Sequence, residues 1–383
     1  MRALLLLAFL LLSSSVLAAQ DEDSDLEPPP DIPWRLSYYP FLSGGENDGP
    51  FLSLRAHYWK PAPYEARTTY MAALDAGVGF TTAGSRYAAV QFHAPLLRRD
   101  WRLWAAGSAE RLARLGYFGL GNDTEKNDDL VTEANPFLYR VRRNYYNGVA
   151  EVTRRIRGPW SVALQALVDR AEFTTLPGPS VFTGDFGDEL DENDVAGRLA
   201  LVYDTRDVEY NTHRGLLLEA GAQAGTGNDG YTRVYGIFRG YLPVREGTVL
   251  AARIVGSGMG ESPTLNARYM IPGWEKPLLV VGGQQSHRAL DSGRLVGKGV
   301  LLGNFEVRHD VLPFGDLGAI TLIAFLDAGR VFEEDSWKLT LDDMKVGGGG
   351  GVALRIMRGT VLTFNFAGGP DGYNFSWGTG WMF

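Results

Sequence analysis

From Trp34 to Phe383 the chain alternates: segments of roughly ten residues place apolar side chains at every second position, and clusters of Gly, Asn, Asp and Pro separate them. Val195, Leu199, Leu201 and Tyr203 share one face of such a segment, while Arg198, Asp204 and Arg206 share the other. Trp160, Val162, Leu164, Ala166 and Val168 repeat this against Ser161, Gln165 and Asp169, and Leu301, Phe305 and Val307 repeat it against Asn304, Glu306 and Arg308. A half-buried strand of a soluble sandwich shows the same pattern once. Repeated with charge on one face only, it fits a soluble core poorly, because charged groups are rarely placed there. The pattern predicts an all-β protein, a transmembrane antiparallel β-barrel whose strands turn one face to lipid and the other to a watery lumen.

Segment starts fall near Leu36, Phe51, Thr69, Arg86, Trp101, Phe137, Trp160, Val195, Leu216, Tyr231, Val249, Val300, Ile320, Gly350, Val361 and Tyr373. That predicts about 16 strands, an even number as bacterial barrels have. With both chain ends on the periplasmic side, the long connections Gly119–Pro136, Leu176–Asp194, Gly258–Gly299 and Glu333–Val346 all fall on the outer side. Short turns such as Arg358-Gly359 fall on the inner one. Alternation is poor over 101–117 and 137–156, where bulges are expected. At the carboxyl end Tyr373, Phe375, Trp377, Trp381 and Phe383 alternate, which predicts a closing strand with its rings in the lipid interface. The spacing of Ser376, Gly378, Trp381 and Phe383 also resembles the terminal signal by which the barrel-assembly machinery recognises its clients.

Ahead of the alternating region, Arg2, the apolar run Ala3–Leu12 and the small residues up to Ala18-Ala19 have the order of a secretory signal, so residues 1–19 are expected to be removed. Residues 20–33 (QDEDSDLEPPPDIP) are acidic and then proline-rich, the composition of a solvated periplasmic lead-in. The expected location is the outer membrane of a Gram-negative bacterium, with lipid and lipopolysaccharide as neighbours. The absence of cysteine from the sequence removes disulfides, thiolate metal sites and cysteine nucleophiles. Loss of Arg2 with the signal leaves 36 of the 37 basic residues against 45 acidic ones, which argues against nucleic acid as a partner.

Five segments together resemble the barrel of the BamA/TamA, or bacterial surface-antigen, family, and they occur in that family's order: YFGLGNDT (117–124), LVYDTRDVEYNTHRG (201–215), GGQQSHRAL (282–290), NFEVRHD (304–310) and FLDAGRV (325–331). The resemblance covers most of 34–383 and implies a 16-stranded barrel that helps insert or translocate other outer-membrane proteins. It also implies that a long external loop folds back into the barrel, where an arginine at its tip meets acids on the wall. Here those residues are Arg288, Glu306 and Asp327. Two departures stand out: Ala289 replaces the family's glycine after the arginine, and about 14 residues before Trp34 are too few for the family's POTRA domains. A client-receiving role would then fall to a separate periplasmic partner.

Asp204, Arg206, Asp207 and Arg214 crowd a strand end and the start of the next, which reads as a periplasmic hairpin carrying ion pairs. The acidic stretch Asp185–Asp194 reads as a solvated external loop. His57, His93, His213, His287 and His309 lack metal-ligand spacing, so no metal or cofactor is expected. GTGNDG (225–230) joins two alternating segments with no helix after it, and the glycine run 347–351 reads as a strand closely approached by other backbone. The functional expectation is a non-enzymatic barrel assisting insertion, translocation or display of a client protein or lipid. The alternatives are a passive or plugged pore and, further off, a hydrolase using His93 with Ser85.

Overall fold

The computed structural model describes residues 32–43, 47–98, 100–279 and 281–383; the expected signal segment and most of the lead-in lie outside them. Sixteen strands form a single antiparallel sheet in chain order. They are β1 (Arg35–Ser43), β2 (Phe51–Pro61), β3 (Tyr70–Phe80), β4 (Arg86–Arg98), β5 (Trp101–Gly116), β6 (Arg140–Arg157), β7 (Trp160–Thr174), β8 (Glu189–Asp204), β9 (Gly215–Gly225), β10 (Tyr231–Arg245) and β11 (Thr248–Met259), followed after an excursion by β14 (Gly299–Pro313), β15 (Gly318–Phe332), β16 (Lys345–Ile356), β17 (Thr360–Gly369) and β18 (Gly372–Thr379). Inside the excursion, β12 (Met270–Ile271) and β13 (Leu278–Leu279) pair with each other alone. β1 and β18 adjoin, yet among the described residues no ladder joins them.

The alternation sets which face each side chain takes. Val195, Leu199, Leu164, Val168, Ile254, Phe305 and Leu326 are exposed on the outside, and Arg198, Asn304, Glu306 and Asp327 are buried on the inside. An expected irregularity occurs as the register shift at Leu112/Leu115 in β5–β6, and another, at Ala94/Arg98 in β4–β5, lies outside the expected segments. Three strand starts differ from the sequence reading by three residues or more. β6 starts at Arg140, three residues after Phe137; β8 starts at Glu189, six before Val195; β16 starts at Lys345, five before Gly350.

The early start of β8 corrects the reading of Asp185–Asp194 as a wholly solvated loop. Glu192 and Asp194 point inward and are buried. Glu192 accepts the backbone N–H groups of Leu265 and Asn266 at 2.7 and 3.1 Å, capping the short helix Leu265–Arg268, and Asp194 accepts the Tyr231 hydroxyl at 2.7 Å. Burial turns these acids into structural acceptors.

The closing strand holds a second correction. Tyr373 and Phe375 face outward, but β18 ends at Thr379, and Gly380 adopts a left-handed φ of +85° that a side chain would resist. The chain therefore turns into the lumen. Phe383 is buried against Tyr241, Val249 and Ala251, and Trp381 packs against the inner wall. Neither ring lies in lipid.

Candidate functional site: a loop held inside the barrel

The excursion 260–298 fills much of the lumen. Its Ile271, Leu278, Val281, Leu290 and Leu295 form one apolar cluster with Tyr235 and Ile237 of β10, Val255 of β11, Val300 and Leu302 of β14, and Val331 of β15. Burying apolar loop residues against an apolar strip of wall is what holds the excursion inside in water. The polar contacts fix its register.

At the tip, Arg288 lies between the two acids expected of it. Its Nε and Nη2 donate to the two oxygens of Asp327 at 2.9 and 2.8 Å, its backbone N–H adds a third bond at 3.0 Å, and Nη1 donates to Glu306 Oε1 at 2.5 Å. The guanidinium also lies over the Phe325 ring, 3.5 Å from its centroid. All three charged groups are buried, so each is desolvated and stable only as a set. Asn304, absent from the sequence-derived set, ties the tip further, donating to Ser286 O at 2.6 Å and to Asp327 at 2.8 Å while accepting Arg253 Nε at 2.9 Å.

Ala289 also has a place in this geometry. Its backbone is not left-handed, and its methyl group enters a notch left by Gly347 and Gly369, where an added Cβ at Gly369 would sit 2.7 Å from the Ala289 Cβ. The glycine run thus receives the loop. Gly347→Val is expected to displace the tip and make the 282–290 segment sensitive to protease while the barrel stays folded, with overpacking of about 1–3 kcal/mol; limited proteolysis checks it.

A second bench of charges carries the middle of the excursion. Arg198 is buried between Glu151 and Glu219 and reaches Glu219 at 2.8 Å. Glu219 in turn accepts the backbone N–H of Trp274 at 2.9 Å, and the Trp274 indole donates to Thr153 at 2.9 Å. Glu275 of the excursion bridges Arg206 at 2.6 Å and Arg239 at 2.5 Å. Sequence parity placed Arg198 inward, but Trp274 and Glu275 carried no signal because they sit in an irregular segment.

Of the hairpin residues, Asp204 and Arg206 pair at 2.9 Å. Asp207 meets His213 rather than Arg214: its carboxylate is 3.6 Å from the ring and accepts the His213 backbone N–H at 3.1 Å. Burial alone would raise the Asp207 pKa, and these bonds to His213 bring it below the usual value. Arg214 is exposed and meets Asp207 through its backbone alone: its N–H donates to the Asp207 carboxylate at 3.4 Å, and its carbonyl oxygen accepts the Asp207 backbone N–H at 3.1 Å. In the closing strand, Ser376 faces inward and Gly378 leaves room for Gln284 of the loop. His93 and Ser85 do not form a pair: His93 bonds the Tyr70 hydroxyl at 2.9 Å, and Ser85 bonds Asp48 and the Ala113 backbone N–H.

A family profile described as the Omp85 superfamily domain matches residues 74–383. The chain belongs to the Omp85 superfamily. With its apolar outer surface, this superfamily barrel is an outer-membrane protein of a Gram-negative bacterium. Among solved structures it is similar to BamA from Haemophilus ducreyi lacking POTRA domains 1–3 (TM-score 0.57, 13% identity, 90% of this chain and 69% of that one). It is similar also to CdiB from Escherichia coli (0.60, 11%, 91% and 62%) and CdiB from Acinetobacter baumannii (0.53, 11%, 90% and 59%). At such identities the likeness is one of fold, and the chain spans less than two thirds of either CdiB. No curated protein matches it.

Proposed function

We propose that this Omp85 barrel assists the insertion, translocation or display of client proteins at the outer membrane, in the manner of the BamA/TamA branch and without bond-making catalysis. The observation that supports this most directly is the seam: among the described residues fifteen ladders run round the sheet, and none joins β1 to β18. A strand edge left unpaired within a membrane is costly, and a client strand could supply the missing bonds. β1 carries Pro40, which has no donor to give, and β18 has only eight residues, so few bonds stand to be lost when the seam parts. Arg288, Glu306 and Asp327 would keep the lumen closed until a client engages. Partners in this reading are lipid and lipopolysaccharide, the barrel-assembly machinery for its own insertion, clients, and a periplasmic protein that delivers them.

A second reading, a plugged pore, is favoured by the filled lumen, in which a cavity of about 380 Å³ remains beside the inner faces of β2–β7. The two separate in liposomes. An assembly factor shortens the folding time of an unfolded client barrel relative to protein-free liposomes; a pore conducts ions and leaves that time unchanged.

A further inference from the structure

Where the chain leaves β18, it enters a built pocket. Tyr241, Val249 and Ala251 wall it with apolar surface around the buried Phe383 ring, whose centroid is 6.4 Å from that of Tyr241. Two arginines address its contents. Arg253 lies over the Phe383 ring, 5.0 Å from the centroid, and Arg308 lies over both Trp381 (4.2 Å) and Phe383 (5.3 Å). Arg308 Nη2 donates to the Phe383 carbonyl oxygen at 3.1 Å, and the Trp381 indole donates to Asn211 of the β8–β9 connection at 2.9 Å. Rings between guanidiniums, one carbonyl acceptor and an apolar floor are the elements of a peptide site rather than of a plain hydrophobic core. A groove of about 350 Å³, lined in part by Thr212, Arg245, Thr248, Arg308 and Trp381, adjoins it at the rim of short turns.

Glu306 ties this pocket to the loop. Its Oε1 accepts Arg288 Nη1 from the loop tip at 2.5 Å, and its Oε2 accepts Arg308 Nε from the pocket at 2.7 Å. One buried carboxylate thus serves both arginines. If Phe383 leaves, Arg308 loses its carbonyl acceptor and one of its three ring contacts, keeping Tyr241 and Trp381, and Glu306 is then its one hydrogen-bond partner among the described residues. The Glu306 carboxylate then has a less constrained partner on one side, which weakens its hold on the other.

We infer that this lumenal pocket is a binding site for an extended peptide segment bearing an aromatic ring and its carbonyl, that Trp381–Phe383 fills it in cis, and that Arg308 passes its occupancy through Glu306 to the loop tip. The inference goes beyond the insertion reading and does not depend on it, because occupancy and loop closure are measurable without a client.

The test is amide hydrogen exchange on the liposome-embedded chain, comparing wild type with Phe383→Ala and Arg308→Lys, each with and without a free peptide of the sequence of residues 380–383. Emptying the pocket is expected to speed exchange at 284–290, on the far side of Glu306, by roughly tenfold. The free peptide restores protection in Phe383→Ala. It does not do so in Arg308→Lys, where a single ammonium keeps the charge but cannot serve Glu306 and a carbonyl in the same fork geometry. Arg308→Lys retains the charge balance of the lumen and so covers the case in which Phe383→Ala folds poorly. Exchange at 284–290 that is unchanged in both variants overturns the relay, and protection that the peptide restores equally in Arg308→Lys overturns the site.

Discussion

Arg288→Ala is expected to release the loop from the lumen. The substitution strands the Glu306 and Asp327 carboxylates, both buried, with one cation fewer between them. Breaking a buried ion pair from one side costs about 3–5 kcal/mol. The strands keep their ladders, so that cost falls on the closed position of the loop rather than on the barrel. Trypsin, to which the buried Arg294 is closed in the resting state, should cut the variant there within the time that leaves wild type intact. Arg288→Lys should resemble Ala more than wild type, because Asp327 receives two parallel guanidinium bonds that an ammonium cannot reproduce. A loop that stays protected in both variants would mean that the apolar cluster around Leu290 and Leu295 suffices.

The second large effect is expected at Arg198. Its loss leaves Glu151 and Glu219, both buried, without the cation between them, and Glu219 also holds the Trp274 backbone. Arg198→Ala should destabilise by about 3–5 kcal/mol, seen as a lower temperature at which the folded barrel loses its fast electrophoretic mobility. The mechanism makes a further demand. Replacing Arg198, Glu151 and Glu219 together by Met, Gln and Gln removes all three charges at similar volume while keeping an acceptor for the Trp274 N–H, and it should recover most of the loss. If the triple variant is as unstable as Arg198→Ala, the destabilisation comes from packing and not from unpaired charge.

Most of the barrel was legible in the sequence, because a strand between lipid and lumen must alternate, as β8 does without a break from Asp191 to Val202. The failures sit where that pressure is absent. At the start of β8, Glu189, Asp191 and Asn193 point outward and are exposed while Glu192 and Asp194 point inward, so polar residues occupy both faces and no hydrophobic period marks the strand. In β16 the glycines 347–351 have no side chains to alternate. The tail failed for another reason. Tyr373, Phe375, Trp381 and Phe383 keep an even spacing through the whole segment, but the left-handed backbone at Gly380 turns the last rings from lipid to lumen, and the arginines that receive them lie far upstream at Arg253 and Arg308.

The loop residues divide in the same way. Arg288, Glu306 and Asp327 were reached through resemblance and parity, and the structure brings all three together. Asn304 and Arg308 were placed on the inner face without a role, since parity gives a side and not a partner. Trp274 and Glu275 had no periodicity to reveal them. The family's glycine after the arginine is here Ala289, and the notch that admits its methyl group is formed by glycines some 60 to 80 residues further along, at Gly347 and Gly369.

In the proposed function the loop closes the lumen at rest and must move for a client to be served. Because the sequence contains no cysteine, a disulfide can be placed without background between Ala289→Cys on the tip and Gly369→Cys on the wall. A shift of about 1 Å would bring their Cβ atoms to disulfide spacing. The decisive measurement is the folding time of an unfolded client barrel in liposomes carrying this variant, oxidised and then reduced. The expected result is no acceleration when oxidised and acceleration regained on reduction; equal acceleration in both states would show that the loop need not move.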